Sequence, residues 1–181
     1  MVGGSDRRAM KAVLFVLIIF SAPSVAWADE PGGRLCGTWG IDAWGLSYHV
    51  DHAIHYNDAN WGLGVRCYAR PEWRILGKSS DNKALLQIDA LLNSHRGLLI
   101  PVSIGAEYKL TTLPGGCKLL FVGAFTVAYY QTPGKASDVK WGPVPGVAAG
   151  CGRFKPNVIF VPSTSGQIVA AIAASMTIVF K

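Results

Sequence analysis

Ile168-Val169-Ala170-Ala171-Ile172-Ala173-Ala174-Ser175-Met176-Thr177-Ile178-Val179-Phe180 is the stretch that decides the fold. Read in steps of two, one face carries Ile168, Ala170, Ile172, Ala174, Met176, Ile178 and Phe180. The other carries Val169, Ala171, Ala173, Ser175, Thr177 and Val179. A period of two is that of a β-strand. Large apolar groups opposite small or hydroxylated ones suit a narrow barrel with hydrocarbon outside and little room inside.

Segments of similar length recur upstream. In Leu98 to Leu110, Ile100, Val102, Ile104, Ala106 and Tyr108 share one face, and Ser103, Gly105, Glu107 and Lys109 share the other. Two ionisable groups on one face need a partner or water, so that face is expected inward. Trp61 to Tyr68 sets Leu63 and Val65 against Gly62, Gly64 and Arg66. Leu119 to Tyr130 is apolar on both faces and its period says nothing. The expected strands are 37–49, 61–69, 84–93, 98–110, 118–130, 144–153, 157–162 and 168–180. Beyond the first thirty residues no apolar run approaches the ~20 residues of a membrane-spanning helix. The fold class is therefore all-β, an eight-stranded antiparallel transmembrane barrel. In lipid only a helix or a closed sheet pairs every backbone N–H and C=O. A water-soluble sandwich or lipocalin-like barrel would carry polar outward faces, the reverse of this pattern.

The chain has 181 residues, half of them apolar and 15% charged, which excludes a disordered chain. Its start reads as an address. Arg7, Arg8 and Lys11 precede the apolar run Ala12 to Phe20, and Ala26-Trp27-Ala28 is a signal-peptidase pattern. Cleavage after Ala28 leaves residues 29–181 as the barrel domain. Three of the 17 basic and one of the 11 acidic residues fall in the leader, so the net charge drops from +6 to +4. That excess is too small and scattered for nucleic acid. Export and barrel together imply the outer membrane of a Gram-negative type cell, with the protein a monomer.

With the N-terminus periplasmic, connections 50–60, 94–97, 131–143 and 163–167 face outward, and 70–83, 111–117 and 154–156 face the periplasm. Cys36, Cys67, Cys117 and Cys151 then all lie near periplasmic strand ends. Cross-strand disulfides 36–67 and 117–151 are plausible among the three connectivities that four cysteines allow; buried or lipid-facing thiols are the alternative. No close Cys/His spacing suggests a metal. The outer rim gathers His49, His52, His55, Asn93, Ser94, His95 and Arg96. A hydroxyl beside an imidazole is the pairing that acyl transfer uses, serine as nucleophile or acyl-positioning group and histidine as base.

Ser47-Tyr48-His49 followed by Tyr56-Asn57-Asp58-Ala59-Asn60-Trp61-Gly62-Leu63-Gly64 resembles the lipid A palmitoyltransferase family (PagP-type) of outer-membrane acyltransferases. Order and topology agree over most of the chain beyond the leader; the specific match is the first hairpin. The resemblance implies transfer of a palmitoyl chain from a glycerophospholipid donor to a hydroxyl of lipid A, with no cofactor. It makes His49 the base and Ser94 its hydroxyl partner, with Asn93 where the family has an aspartate. Gly105 becomes a candidate floor of the acyl-chain site. Pro143-Val144-Pro145 resembles the family's proline-interrupted wall, a lateral gate where ladder hydrogen bonds fail.

Three departures qualify it. Asn93 cannot offset an imidazolium charge. Asp51 could substitute, whereas Asp89 lies four strand residues below Asn93, about 13 Å. Only Asp29 to Arg34 precedes the first strand, where the family has an amphipathic helix. The strands of His49 and Ser94 are separated by a third, roughly 10 Å in all, so the two should meet only through strand tilt, or through long side chains and a substrate between them. The alternatives are a catalytically silent barrel of the same kind, binding lipid or structural, and a lipid hydrolase using Ser94 with His95 or His49. Lys135, Lys140 and Arg96 are candidate contacts to lipid phosphates.

Overall fold

The computed structural model describes residues 36–49, 59–69, 81–162 and 171–180. The leader and Asp51, His52 and His55 lie outside the described residues. The strands are β1 Cys36–His49, β2 Gly62–Ala69, β3 Lys83–Leu92, β4 Leu98–Thr112, β5 Lys118–Tyr130, β6 Asp138–Gly150, β7 Phe154–Val161 and β8 Ala171–Phe180. Each pairs antiparallel with the next, and β8 returns to β1 from Trp39↔Phe180 to His49↔Ala171, closing an eight-stranded barrel.

The two-residue alternation sorts side chains as the sequence requires. On β8, Ile172, Met176 and Phe180 are exposed while Ala171, Ser175 and Thr177 are buried. Leu63 and Val65 point out from β2 and Arg66 points in. Even β5, apolar throughout, divides Phe121, Phe125 and Val127 outward from Leu120 and Val122 inward. Aromatic residues mark both ends of the apolar exterior. Trp39, Tyr108, Phe154 and Phe180 stand near one rim, and Tyr48, Trp61 and Trp141 near the other. Such a continuous apolar exterior is far larger than water tolerates on a monomer. It matches the lipid-facing band and aromatic girdles of a transmembrane barrel.

Two strands, β6 and β7, begin well before their expected starts. β6 begins at Asp138 rather than 144, because β5 zips to it without interruption from Lys118↔Gly150 to Tyr130↔Asp138. Pro143 and Pro145 therefore lie within a strand. β7 begins at Phe154 rather than 157. The β6–β7 ladder is short: Gly146↔Ile159, Val147↔Val158 and Ala148↔Asn157, with a separate bridge Cys151↔Phe154. In the same register, Pro145 would face Phe160 and Val144 would face Val161, but those rungs are missing. Pro156 stands beside the gap at the lower end. Proline has no N–H to give to a ladder, which accounts for prolines flanking this one short seam.

Disulfides join Cys36 to Cys67 and Cys117 to Cys151, with Cα separations of 5.4 and 4.5 Å. Both sit at the rim opposite His49, the first clasping β1 to β2 and the second linking the segment before β5 to the turn after β6. On the same rim Lys118 and Lys109 donate to Asp81, which holds its carboxyl below the ordinary aspartate value.

The lower half of the lumen is filled by buried ions. Arg66 Nη2 lies 3.1 Å from Asp42, and Nη1 lies 3.1 Å from Glu107. Lys155 pairs with Glu107 and donates to Tyr68 Oη at 2.9 Å. Asn157 Nδ2 donates to Thr177 Oγ1 at 2.8 Å, and Thr177 donates to Asp42. Two cations face two anions across four different strands, so this network ties together walls that share no ladder. Deleting one member of a buried pair leaves a charge without its counter-ion, at a cost of about 3–5 kcal/mol. Arg66→Met should accordingly lower the unfolding free energy, from urea titration of the barrel refolded in lipid vesicles, by that order; an unchanged free energy would show that the network does not hold the barrel.

Candidate functional site

The outer half of the lumen is built around an absence of side chains. The inward positions of β2 are Gly62, Gly64, Arg66 and Tyr68. At the upper two there is no room for more than glycine. A Cβ on Gly62 would stand 2.3 Å from Leu91 Cβ, and one on Gly64 would stand 1.7 Å from Asp89 Oδ1. With β2 bare, side chains of β1 and β3 reach one another across it. Trp44 Nε1 donates to Asp89 Oδ1 at 2.9 Å, and Gln87 Nε2 donates to Asp89 Oδ2 at 2.8 Å.

Above this strip the rim pair is in contact. His49, the last residue of β1, points inward and is 9% exposed. Its Nε2 lies 2.7 Å from Ser94 Oγ. The contact is direct, so of the two routes expected it needs no substrate as a bridge. When Nε2 accepts the serine proton, the imidazole is in the tautomer that can act as a base toward a hydroxyl.

Asn93 requires a correction, because its side chain does not join the pair. Oδ1 accepts from the backbone N–H of His95 and of Gly97, both at 2.9 Å. Nδ2 donates to the carbonyl of Gln131 at 2.6 Å. With Arg96 at a φ of 59°, these bonds shape the turn that presents Ser94. Asn93 is thus a positioning residue spent on the β3–β4 turn. His95 stacks edge-on against Tyr130 at 6.4 Å between ring centres, and the bond of Ser94 is to His49.

Below the pair lies a cavity of about 640 Å³. The wall from β4 to β8 is mostly apolar, with Leu99, Ala128, Val144, Ile159, Val161 and Ala173, and carries Ser103, Thr126 and Lys140 among them. The opposite wall, from β1 to β3, is more polar, with Ser47, Asn60, Asp89 and Gln87 beside Trp44, Leu85 and Leu91. Arg66 and Asn157, the upper surface of the ion network, close the bottom. Gly105 is not among the lining residues, which corrects its assignment as the floor. A Cβ there would meet the carbonyl of Gly123 at 2.3 Å, so this glycine serves the close approach of β4 and β5. Val144, Ile159 and Val161 border both the cavity and the short β6–β7 seam, so the apolar wall adjoins the place where rungs are missing. Lys135 and Lys140 stand at the mouth, Lys140 paired with Asp138.

Sequence reading found His49, Ser94 and the prolines through the rim and the resemblance. It missed the Asp42–Arg66–Glu107–Lys155 floor and the Asn60–Ser47 contact. The inward Glu107 signalled the first, by needing a counter-charge that no local pattern names. Among the described residues no cluster of His, Cys, Asp or Glu is placed to hold a metal ion.

Because Gly64 has Asp89 against its Cα, Gly64→Val should overpack this strip and cost about 1–3 kcal/mol. Measured by urea unfolding in vesicles, a variant as stable as the parent would show that β2 need not be bare.

No family model matches the sequence, and no curated protein matches it. Among solved structures, the N-terminal β-barrel domain of Pseudomonas aeruginosa OprF superposes with a TM-score of 0.44 at 9% identity. The superposition covers 81% of this chain and 100% of that one.

Proposed function

We propose that the protein is an outer-membrane acyltransferase that moves a palmitoyl-type chain from a glycerophospholipid to lipid A. The observation that carries this reading is the 2.7 Å contact between Ser94 Oγ and His49 Nε2 at the mouth of a closed-bottomed cavity. Its volume lies within the roughly 300–1,000 Å³ of small-molecule sites. The resemblance of Ser47 to Gly64 to the lipid A palmitoyltransferases supplies the acceptor. Leader and barrel together support export to the outer membrane.

In this scheme the donor's chain slips from the bilayer between β6 and β7, where Pro143 and Pro145 border the missing rungs, and lies along the apolar wall. The ester carbonyl stays at the mouth. His49 takes the proton of the acceptor hydroxyl, whose oxygen forms the new ester bond to the acyl carbon. The bond from that carbon to the glycerol oxygen breaks, and His49 returns the proton to the departing lysophospholipid. Ser94 holds the imidazole and the carbonyl in line. Lys135 and Lys140 at the mouth suit phosphate groups of either lipid.

A second reading is favoured by one observation. Asn93 stands where the family has an aspartate and spends its side chain on a turn. On that reading the barrel holds a lipid chain without reacting it, or is structural. Mass spectrometry of lipid A from cells expressing the chain separates the two. Transfer adds the mass of one acyl chain, and His49→Ala or Ser94→Ala lowers that product about 100-fold or more. Unaltered lipid A supports the silent barrel, and a loss of mass points to a hydrolase. The seam has its own test. Val144→Cys with Val161→Cys, oxidised to a crosslink, should block transfer until a reductant reopens it, with the parent unaffected by the same reductant; a crosslinked barrel that still transfers overturns lateral entry.

A further inference from the structure

One bond of Asn93 leaves its own turn. Inside the β3–β4 turn, Oδ1 collects the N–H groups of His95 and Gly97, the Asn93 N–H reaches the Gly97 carbonyl at 2.8 Å, and the Asn93 carbonyl accepts from Arg96 at 2.9 Å. Nδ2 instead donates to the carbonyl of Gln131, the residue that follows β5. Two N–H donors at one end of the amide and a carbonyl at the other fix which atom is oxygen and which nitrogen. The whole residue is 1% exposed, so no water can stand in for these partners.

The turn meets the end of β5 at two more places. Gly97 passes so near that a Cβ on it would stand 1.9 Å from the Gln131 carbonyl oxygen. His95 stands edge-on against Tyr130, the last residue of β5. Ser94 lies between Asn93 and His95, so the hydroxyl that meets His49 Nε2 is gripped on both sides by residues anchored to β5.

A carboxylate cannot replace this amide. It could still accept from His95 and Gly97, but its second oxygen would face the Gln131 carbonyl with no proton between them. A carboxyl group that keeps its proton can donate there and restores the pattern. Position 93 therefore calls for a donor toward Gln131.

We infer that the Nδ2–H of Asn93 sets the Ser94 hydroxyl on His49 by tying the β3–β4 turn to the end of β5, and that an ionised aspartate at this position misplaces the serine instead of supporting the histidine. This rests on the reading of His49 and Ser94 as the reacting pair. A misplacement of about 1 Å at such a pair can cost about 100-fold in rate.

Two readouts on the full chain folded in detergent test it: acyl transfer from phospholipid to lipid A, and the ¹⁵N NMR signal of His49 Nε2, identified by its loss in His49→Gln. Asn93→Ala should lower kcat about 10- to 100-fold with the donor KM unchanged, and should move the Nε2 signal as Ser94→Ala moves it. For Asn93→Asp, the ratio of variant to parent kcat should fall as the pH rises from about 5 to about 9. Burial disfavours the charged carboxylate and so carries its titration into that range, and losing the proton removes the donor. A ratio that stays level or climbs overturns the inference, a climb meaning that a carboxylate supports His49. Parental kcat or an unmoved Nε2 signal in Asn93→Ala also overturns it, and this variant decides if Asn93→Asp does not fold. If the parent transfers no acyl chain, the acyltransferase reading falls and the Nε2 signal alone decides: moved by Asn93→Ala, the positioning role stands; unmoved, it falls too.

Discussion

A backbone amide in hydrocarbon has nowhere to turn but to another backbone amide. That constraint governs this molecule. It forces the chain into a ring of strands and forbids a free edge. It also makes any gap in the ring conspicuous. Seven of the eight seams run long, and the eighth, β6 to β7, is a short ladder hemmed by prolines. Its position next to Val144, Ile159 and Val161 ties the one weakness of the wall to the apolar side of the cavity. The architecture that a membrane demands and the entrance that a lipid would need are therefore two sides of the same backbone accounting.

Much of this was legible in the sequence, where the physics is local. The alternation from Ile168 to Phe180 declares a strand with a greasy exterior, and the structure shows that strand from Ala171 to Phe180. Glu107 and Arg66 announce an interior face because an ion cannot face lipid cheaply. What the sequence does not display is pairing at a distance. Nothing near Arg66 says that its partners are Asp42, on the preceding strand, and Glu107, two strands further round. The start of β6 differs for a related reason. The expected strand begins at 144, after Pro143, yet β5 provides a full partner on one side and the strand runs through both prolines from Asp138.

The contact of Trp44 with Asp89 shows how a negative feature can build a site. Gly62 and Gly64 contribute no side chain to the lumen, and this lets Trp44 reach Asp89. Spacing arguments that treat each strand as equally thick fail where a strand is reduced to its backbone. The motif Trp61-Gly62-Leu63-Gly64 carried the needed information: large residues outward, nothing inward. Asn93 teaches the converse lesson. A polar residue next to a reactive one can be fully employed in holding the turn, and proximity in sequence then says little about its chemistry.

The charged floor also has a consequence for passage along the lumen. Side chains of Asp42, Arg66, Tyr68, Glu107, Lys155 and Asn157 knit the lower lumen together with two positive and two negative groups. Whatever enters the upper half meets this charged plug before it can reach the disulfide-bearing rim.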